Sequence, residues 1–404
     1  MKFPIPAGCR AVIDRLASFG YPAYLVGGCV RDLCRGVPPH DYDLTTPATP
    51  DEMKRVFDGF RVIETGIAHG TLTVLSDGTP YEVTTYRVDG AYSDGRHPDG
   101  VRFTSSLEED LLRRDFTVNA MAYSPDAGLI DPFGGQADLA ARLIRAVGDP
   151  DRRFTEDSLR ILRALRFSST LGFSIEVETA GALSRLAPTV CRVSLERIRE
   201  ELLKLLSGSA SETVLLGYRD VLFAAVPALS GIGDDWTRSA HAAAKLASAP
   251  VLSLAALVRP LGEGRTAALF RALRTDKKSV RRASAAVTAY DAGLPADVAA
   301  AGLFLVDFGE AAYDAVSLAE AYGDPGAAAA KEALDAFQAT GRPTKLSALA
   351  VRGDDLVSVG IPSGPAQGVI LSRLLRLAAT GETENEREAL LSRAARVKAE
   401  TNNG

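Results

Sequence analysis

Residues 24–46, YLVGGCVRDLCRGVPPHDYDLTT, decide how this chain is read. The apolar run Tyr24-Leu25-Val26 reads as a strand. Gly27 and Gly28 then remove side chains at a turn, so the backbone can approach a ligand closely. Residues 30–35 read as a short helix whose first N–H groups face whatever lies over the glycines, an arrangement suited to phosphate. Arg31 adds a fixed positive charge and Asp32 lies in the first turn. A loop with Gly36, Pro38 and Pro39 leads to Asp41-Tyr42-Asp43-Leu44. On a strand, residues i and i+2 share a face, so Asp41 and Asp43 are predicted to present two carboxylates together. Such hard oxygen ligands suit Mg²⁺, which also takes oxygens from substrate phosphates. The chemistry implied is phosphoryl or nucleotidyl transfer with two metal ions about 4 Å apart.

Two later stretches add charged clusters. Residues 107–123, LEEDLLRRDFTVNAMAY, contain Arg113-Arg114-Asp115-Phe116-Thr117 and Asn119. Arg114 can pair with triphosphate oxygens, and Asp115 and Asn119 can bond a ribose hydroxyl; the plain alternative is a capped helix with solvated charges. Residues 149–167, DPDRRFTEDSLRILRALRF, predict a helix capped by Thr155, with Glu156 and Asp157 in its first turn. Leu159, Ile161, Leu162 and Leu165 form its apolar face, while Asp157, Arg160, Arg163 and Arg166 recur every third residue. A carboxylate accepts from an exocyclic amino group and an arginine donates to a ring acceptor. Cytosine and adenine both offer that pair, so Asp157 and Arg160 together can select C and A.

The order Gly-Gly-x-x-Arg-Asp-x(8)-Asp-x-Asp resembles the signature of the class II nucleotidyltransferases, the bacterial tRNA nucleotidyltransferases (CCA-adding enzymes) and their poly(A) polymerase relatives. Arg113 to Ala120 resembles the second motif of that family, and Glu156-Asp157-x-x-Arg160 its amino-acid template for base choice. The resemblance spans residues 22–175. It implies an α+β protein: a nucleotidyltransferase (polymerase β-like) α/β head over residues 1–147, then an all-helical neck (148–208), body (209–320) and tail (321–404). It further implies addition of C, C and A to a tRNA 3′ end from CTP and ATP, with two Mg²⁺ ions on Asp41 and Asp43. Gly27, Gly28, Arg31 and Arg114 would hold the triphosphate, and Arg163 and Arg166 would face the nucleotide. A poly(A) polymerase or an enzyme adding only the terminal A fits the same scaffold, and an RNA-binding module with a dead site is the rival from another class. The presence of both Asp41 and Asp43 disfavours the dead site.

The remaining segments place these motifs. Residues 10–19 read as an amphipathic helix ending at Gly20, and residues 50–57 as a second helix with Pro50 and two acids at its front. Residues 71–75 and 81–87 read as strands joined at Ser76-Asp77-Gly78. Glu82 lies on the second strand with Thr84 and Tyr86 on its face; it is either part of a solvated edge or a third carboxylate acting as general base or tuning the metals. Residues 88–106 form a long Gly- and Asp-rich loop that resembles the family's flexible loop, in which His97 stands where many relatives carry arginine. Residues 131–135 predict a turn, and the helix after it is read to include Asp138, Leu139, Leu143 and Ile144. Beyond residue 170 the pattern is helical, most strongly at residues 194–206.

Composition bounds the rest. The chain has 404 residues, of which 46% are hydrophobic and 24% charged, enough for several folding units. Its net charge of −5 argues against indiscriminate nucleic-acid binding. Within residues 259–282, however, eight basic residues stand against two acidic ones. Arg271, Arg274, Lys277, Lys278, Arg281 and Arg282 are the candidate RNA-phosphate contacts there. Four cysteines in a chain of this length fit reduced thiols, and Cys29 with Cys34 has no second pair at zinc spacing. The first ten residues hold no signal-peptide core and no stretch is long enough to span a bilayer, which predicts a cytoplasmic protein with no membrane partner and no obligatory protein partner. His40-Asp41 is the only His-Asp doublet; a metal-dependent phosphohydrolase would need further histidines, and only four are present.

Overall fold

Asp77 and Gly78 both adopt positive φ, 50° and 73°, the backbone of a two-residue hairpin turn whose twist matches its strands. They join β4 (Thr71–Ser76) to β5 (Thr79–Thr85), the longest pair of a seven-stranded sheet. The sheet also contains β1 (Tyr24–Val26), β2 (Leu44–Thr46), β3 (Arg61–Ile63), β8 (Ala122–Ser124) and β9 (Gly128–Ile130). Its order is β3-β4-β5-β2-β1-β8-β9, with β2 parallel to β5 and the other pairs antiparallel. The intervening β6 (Arg87–Asp89) and β7 (Val101–Phe103) form a separate antiparallel ribbon. This computed structural model describes residues 3–64, 66, 67, 70–89 and 101–402. Within the stretch read as a loop over 88–106, residues 88–89 and 101–103 are strand, residues 104–106 are not, and the centre, with His97, lies outside the described residues.

Helices cover the sheet. In α1 (Ala7–Ser18), Cys9, Val12, Ile13 and Leu16 are buried at helical spacing, starting three residues before the sequence reading. α2 (Gly28–Cys34) follows β1 directly, because Gly27 turns the chain at φ 76°. α3 (Pro50–Val56) starts from a complete capping box between Thr49 and Glu52 with Pro50 in the first turn. The core beneath these helices includes Leu25, Leu44, Met53, Leu72, Val83 and Tyr123.

Two elements differ from expectation. Leu143 and Ile144 do not continue α5 (Gly135–Ala141); they form β10, parallel to β11 (Ser174–Ile175). Arg142 takes a left-handed backbone (φ 56°) that ends the helix before them. Thr155 is not an N-cap. Asp149 caps α6 (Pro150–Glu156) by accepting from Asp151 N, and a second helix, α7 (Leu159–Leu171), starts only after Asp157 leaves the helical region. Asp149-Pro150 was the stronger start signal, an acceptor side chain followed by proline at the first position.

α4 (Leu107–Leu112) precedes β8, and α8 (Val177–Leu186), α9 (Leu195–Leu206), α10 (Ser211–Gly217) and α11 (Arg219–Ala225) complete the first of two compact units, Met1–Pro227. α7 and α9 approach closely where Gly208 meets Ser169; a Cβ there would lie 2.1 Å from the serine hydroxyl. The second unit, Ala228–Gly404, is helical among its described residues, from α12 (Trp236–Lys245), α13 (Pro250–Val258), α14 (Glu263–Ala272) and α15 (Lys277–Asp291) onward. Among the described residues no helix is long and apolar enough to cross a membrane.

Candidate active site

The three motifs meet in one cavity of about 510 Å³ in the first unit. Gly27, Gly28, Arg31, Asp41, Asp43, Arg114, Asp115, Asn119, Asp157, Arg160, Arg163 and Arg166 all line it, joined by Arg113, Phe167 and Arg197. Seven arginines thus face four aspartates in a chain whose net charge is negative, an environment for a polyanion.

Asp41 and Asp43 lie in an extended segment just before β2 rather than on the strand. Gly27 turns the partner strand away, so the ladder ends with Val26 N donating to the Asp43 carbonyl at 3.0 Å. The alternation survives: Tyr42 packs against the core while both carboxylates line the cavity. Asp43 opens on the cavity yet is ringed by protein. Partial desolvation, with Asp41 and Glu82 nearby, pushes its carboxyl up to about 6, and Arg114 only partly opposes this. Glu82 is exposed on β5 and does not line the cavity, but its charge is felt at Asp43. Tyr86, expected on the same polar face, is buried at 2% exposure beyond the end of β5.

Among the described residues no cluster of three or more acidic, histidine or cysteine side chains forms a self-sufficient metal cage. Two carboxylates crowded enough to raise one of them suit an ion that completes its shell with water and substrate phosphate, as Mg²⁺ does.

The arginines are held by a polar chain that crosses all three motifs. Arg31, only 9% exposed, donates through Nε and Nη2 to Asp32 at 3.0 Å each, and through Nη1 to Asn119 Oδ1 at 2.8 Å. Asn119 Nδ2 donates to Asp115 Oδ1 at 3.1 Å, and Arg163 Nε donates to Asp115 Oδ2 at 2.8 Å. Arg166 ends the chain against Glu201 of α9 at 2.6 Å. Burial alone would raise the Asp115 carboxyl, but Arg163 and Asn119 hold it down at about 2. The ring of Phe167 lies under three guanidiniums, with Arg166 at 3.9 Å, Arg31 at 5.3 Å and Arg163 at 5.4 Å from its centroid.

Asp157 and Arg160 share the cavity wall without pairing side chain to side chain. Asp157 Oδ1 accepts from Leu159 N and Oδ2 from Arg197 Nη2 at 3.2 Å. Arg160 Nη1 donates to Glu156 and to the Arg153 carbonyl, and Nη2 to the Arg113 carbonyl. Of its five N–H groups, Nε–H and one on Nη2 make no hydrogen bond among the described residues.

Sequence reasoning missed Asp32 as a clamp, and missed Asp110, Arg197, Glu201 and Phe167. Asp110 was signalled by its i,i+3 and i,i+4 spacing to Arg113 and Arg114. Glu201 was signalled by its place among Ile198, Leu202 and Leu205 on the buried face of α9, where a carboxylate needs a partner.

In the second unit, Arg271, Arg274, Lys277 and Arg281 line another cavity, of about 670 Å³, between α14 and the start of α15. Lys278 is exposed but not on its wall, and Arg282 is bound to Asp314 at 2.7 and 2.8 Å.

A nucleotide-sized cavity with paired aspartates leading into a central strand of a mixed sheet defines a nucleotidyltransferase. The model of the Poly A polymerase head domain matches residues 23–145, and that of a probable RNA- and SrmB-binding site of polymerase A matches residues 172–225. The chain belongs to the family of CCA-adding enzymes. It is 38% identical to the CCA-adding enzyme of Limosilactobacillus fermentum over 95% of each chain, and 40% identical to that of Geobacillus thermodenitrificans over 94% of each. The crystal structure of Bacillus stearothermophilus CCA-adding enzyme in complex with CTP superimposes with a TM-score of 0.84 at 33% identity, covering 98% of both chains.

Proposed function

We propose that this protein adds C, C and A to the 3′ end of tRNA, using CTP and ATP without a nucleic-acid template and releasing pyrophosphate. The observation that carries the reading is the convergence of all three motifs on one cationic cavity beside Asp41 and Asp43. Family membership over almost the whole chain, and likeness to an enzyme solved with CTP, support it.

In this reading Asp41 and Asp43 would hold two Mg²⁺ ions, and the chemistry so supplied would be a lowered pKa for the RNA 3′-hydroxyl and neutralised charge on the triphosphate. Gly27 and Gly28 let the phosphates approach the backbone, and Arg31 and Arg114 orient them. Arg114 Nε is buried without a hydrogen-bond partner among the described residues, a donor awaiting an acceptor. Asp115 and Asn119 keep capacity for a ribose hydroxyl. Asp157 accepts from the amino group of C or A, and Arg160 donates its remaining N–H groups to the ring acceptor beside it. Arg163 and Arg166 keep the wall cationic, and Glu82 tunes Asp43. The head (1–147) and neck (148–208) carry the chemistry, and the body (209–320) and tail (321–404) bind RNA. Arg271, Arg274, Lys277 and Arg281 are the phosphate-binding residues there, with Lys278 and Arg282 at the margin. A cytoplasmic setting fits the four free cysteines.

The test supplies purified protein and Mg²⁺ with tRNAs ending before CCA, after C and after CC, and with CTP and ATP separately and together. Extension of the first to CCA and no further is expected. Extension of only the CC-ending tRNA would make it an A-adding enzyme, and long A tracts a poly(A) polymerase. RNA binding with no incorporation would leave only a binding module.

A further inference from the structure

Asp110, in the first turn of α4, is a carboxylate with no exposed surface that the chemistry above does not use. Its Oδ1 accepts from Arg113 Nε at 3.0 Å and from Arg87 N at 3.3 Å. Its Oδ2 accepts from Arg114 Nη2 at 3.3 Å and, at the same distance, from the Thr45 hydroxyl, whose single proton is shared with the Thr84 carbonyl at 3.1 Å. With two donors on each oxygen it has little capacity left for substrate, and no face open to it. Burial works against its charge, but Arg113 and Arg114 hold the carboxyl below the ordinary range, so it stays ionised near neutrality.

What Asp110 fixes is on the cavity wall. Arg114 is caught between two surfaces. Asp110 takes Nη2 on one side; on the other, Nη1 lies 3.2 Å from where a Cβ on Gly27 would stand. Of its five N–H groups, only one on Nη2 is used; those on Nη1, the other on Nη2 and the buried Nε–H make no hydrogen bond among the described residues, in a guanidinium whose plane is set. Two adjacent guanidiniums repel each other, and the shared carboxylate removes that repulsion. Thr45 ties the same carboxylate to β2, the strand that Asp43 leads into. We propose that Asp110 is a positioning residue for the nucleotide: it holds Arg114 against the Gly27-Gly28 turn, beside the strand of the paired aspartates, so that the remaining donors of Arg114 meet the triphosphate.

This inference rests on the nucleotide reading of the cavity but not on the RNA product. The test therefore measures CTP binding by calorimetry without RNA, and incorporation separately. Asp110→Asn is expected to weaken CTP binding about 10- to 100-fold, as loss of a charge-assisted anchor does, and to raise KM while kcat changes less than about threefold. Thr45→Val, which keeps shape, is expected to move binding the same way by about twofold to fivefold. The deciding readout is a cycle with Arg114→Ala. If Asp110 acts through Arg114, Asp110→Asn and Thr45→Val have almost no further effect on CTP affinity in that background. Effects that simply multiply, or wild-type affinity in a folded Asp110→Asn protein, would overturn the proposal. If Asp110→Asn does not fold, the Thr45→Val cycle decides by the same criterion. Wild-type protein that binds CTP but extends no tRNA would refute the CCA reading and leave this one standing on its binding data.

Discussion

The cavity of the first unit and the basic cluster of the second are both rich in arginine, yet they are built differently. In the first, each guanidinium is paired: Arg31 with Asp32, Arg113 and Arg114 with Asp110, Arg160 with Glu156, Arg163 with Asp115, Arg166 with Glu201 and Arg197 with Asp157. Several of these groups are buried, and the partners of Arg163, Arg166 and Arg197 come from distant stretches of chain. In the second, Arg271, Lys277 and Arg281 are exposed, and the nearby Asp276 caps α15 through Lys278 N and Ser279 N. A pre-set array suits a site that must place one phosphorus and one base. An exposed cluster of flexible side chains suits a backbone bound by charge alone.

The contrast gives a ranked set of expectations. Removal of either carboxylate of the pair, by Asp41→Ala or Asp43→Ala, is expected to lower nucleotide incorporation by at least about a thousandfold in a steady-state assay, with tRNA affinity unchanged, because the metal-held charge stabilisation disappears. Next comes Glu201→Ala, which strands Arg166 against the core. Breaking a buried pair by removing one partner costs about 3–5 kcal/mol, so a clear drop in the first unit's urea midpoint is expected. In the second unit, the triple change Arg271→Ala, Lys277→Ala and Arg281→Ala is expected to leave unfolding unaffected. It should weaken tRNA binding about tenfold at moderate salt and flatten the logarithmic salt dependence by roughly one for each phosphate no longer neutralised. A triple variant that unfolds, or a Glu201→Ala protein as stable as the parent, would erase the distinction.

The smallest effect concerns pH. The Asp43 carboxyl is raised to about 6 in the folded protein, above its unfolded value of 3.8. The folded state therefore binds more protons between those values, and metal-free stability falls as pH rises through that window. Asp43→Asn should remove that part of the slope. The difference is expected to be no more than about 1 kcal/mol, since the group opens on solvent in the cavity. Mg²⁺ affinity should move oppositely, weakening below about pH 6 as Asp43 takes up a proton.

The cavity wall was legible in sequence because each motif is contiguous: Gly27, Gly28, Arg31, Asp41 and Asp43 lie within one stretch, and Asp157 to Arg166 within another. The pairings made across long separations were not legible. Asn119 reaches Arg31 across 88 positions, Arg163 reaches Asp115 across 48 and Arg197 reaches Asp157 across 40, separations that no local pattern encodes. The β4–β5 hairpin and the helical remainder followed from alternation and helical spacing, whereas the rest of the sheet was implied only by the family resemblance. The break between α6 and α7 did not, because the acids at Glu156 and Asp157 look like a first turn although Asp149-Pro150 had already started the helix. The same junction explains why the i,i+3 spacing of Asp157 and Arg160 gives no ion pair between them: each finds a better partner elsewhere.

The central claim is that three separate motifs build a single nucleotide site. Calorimetric titration of CTP into Arg31→Ala, Arg114→Ala and Asp157→Ala proteins, one variant per motif, tests it most directly. The account predicts that all three fold and that each weakens CTP binding by at least about tenfold, as removal of a charged group from a shared site requires. Wild-type CTP affinity in any one folded variant would place that motif outside the site and contradict the account.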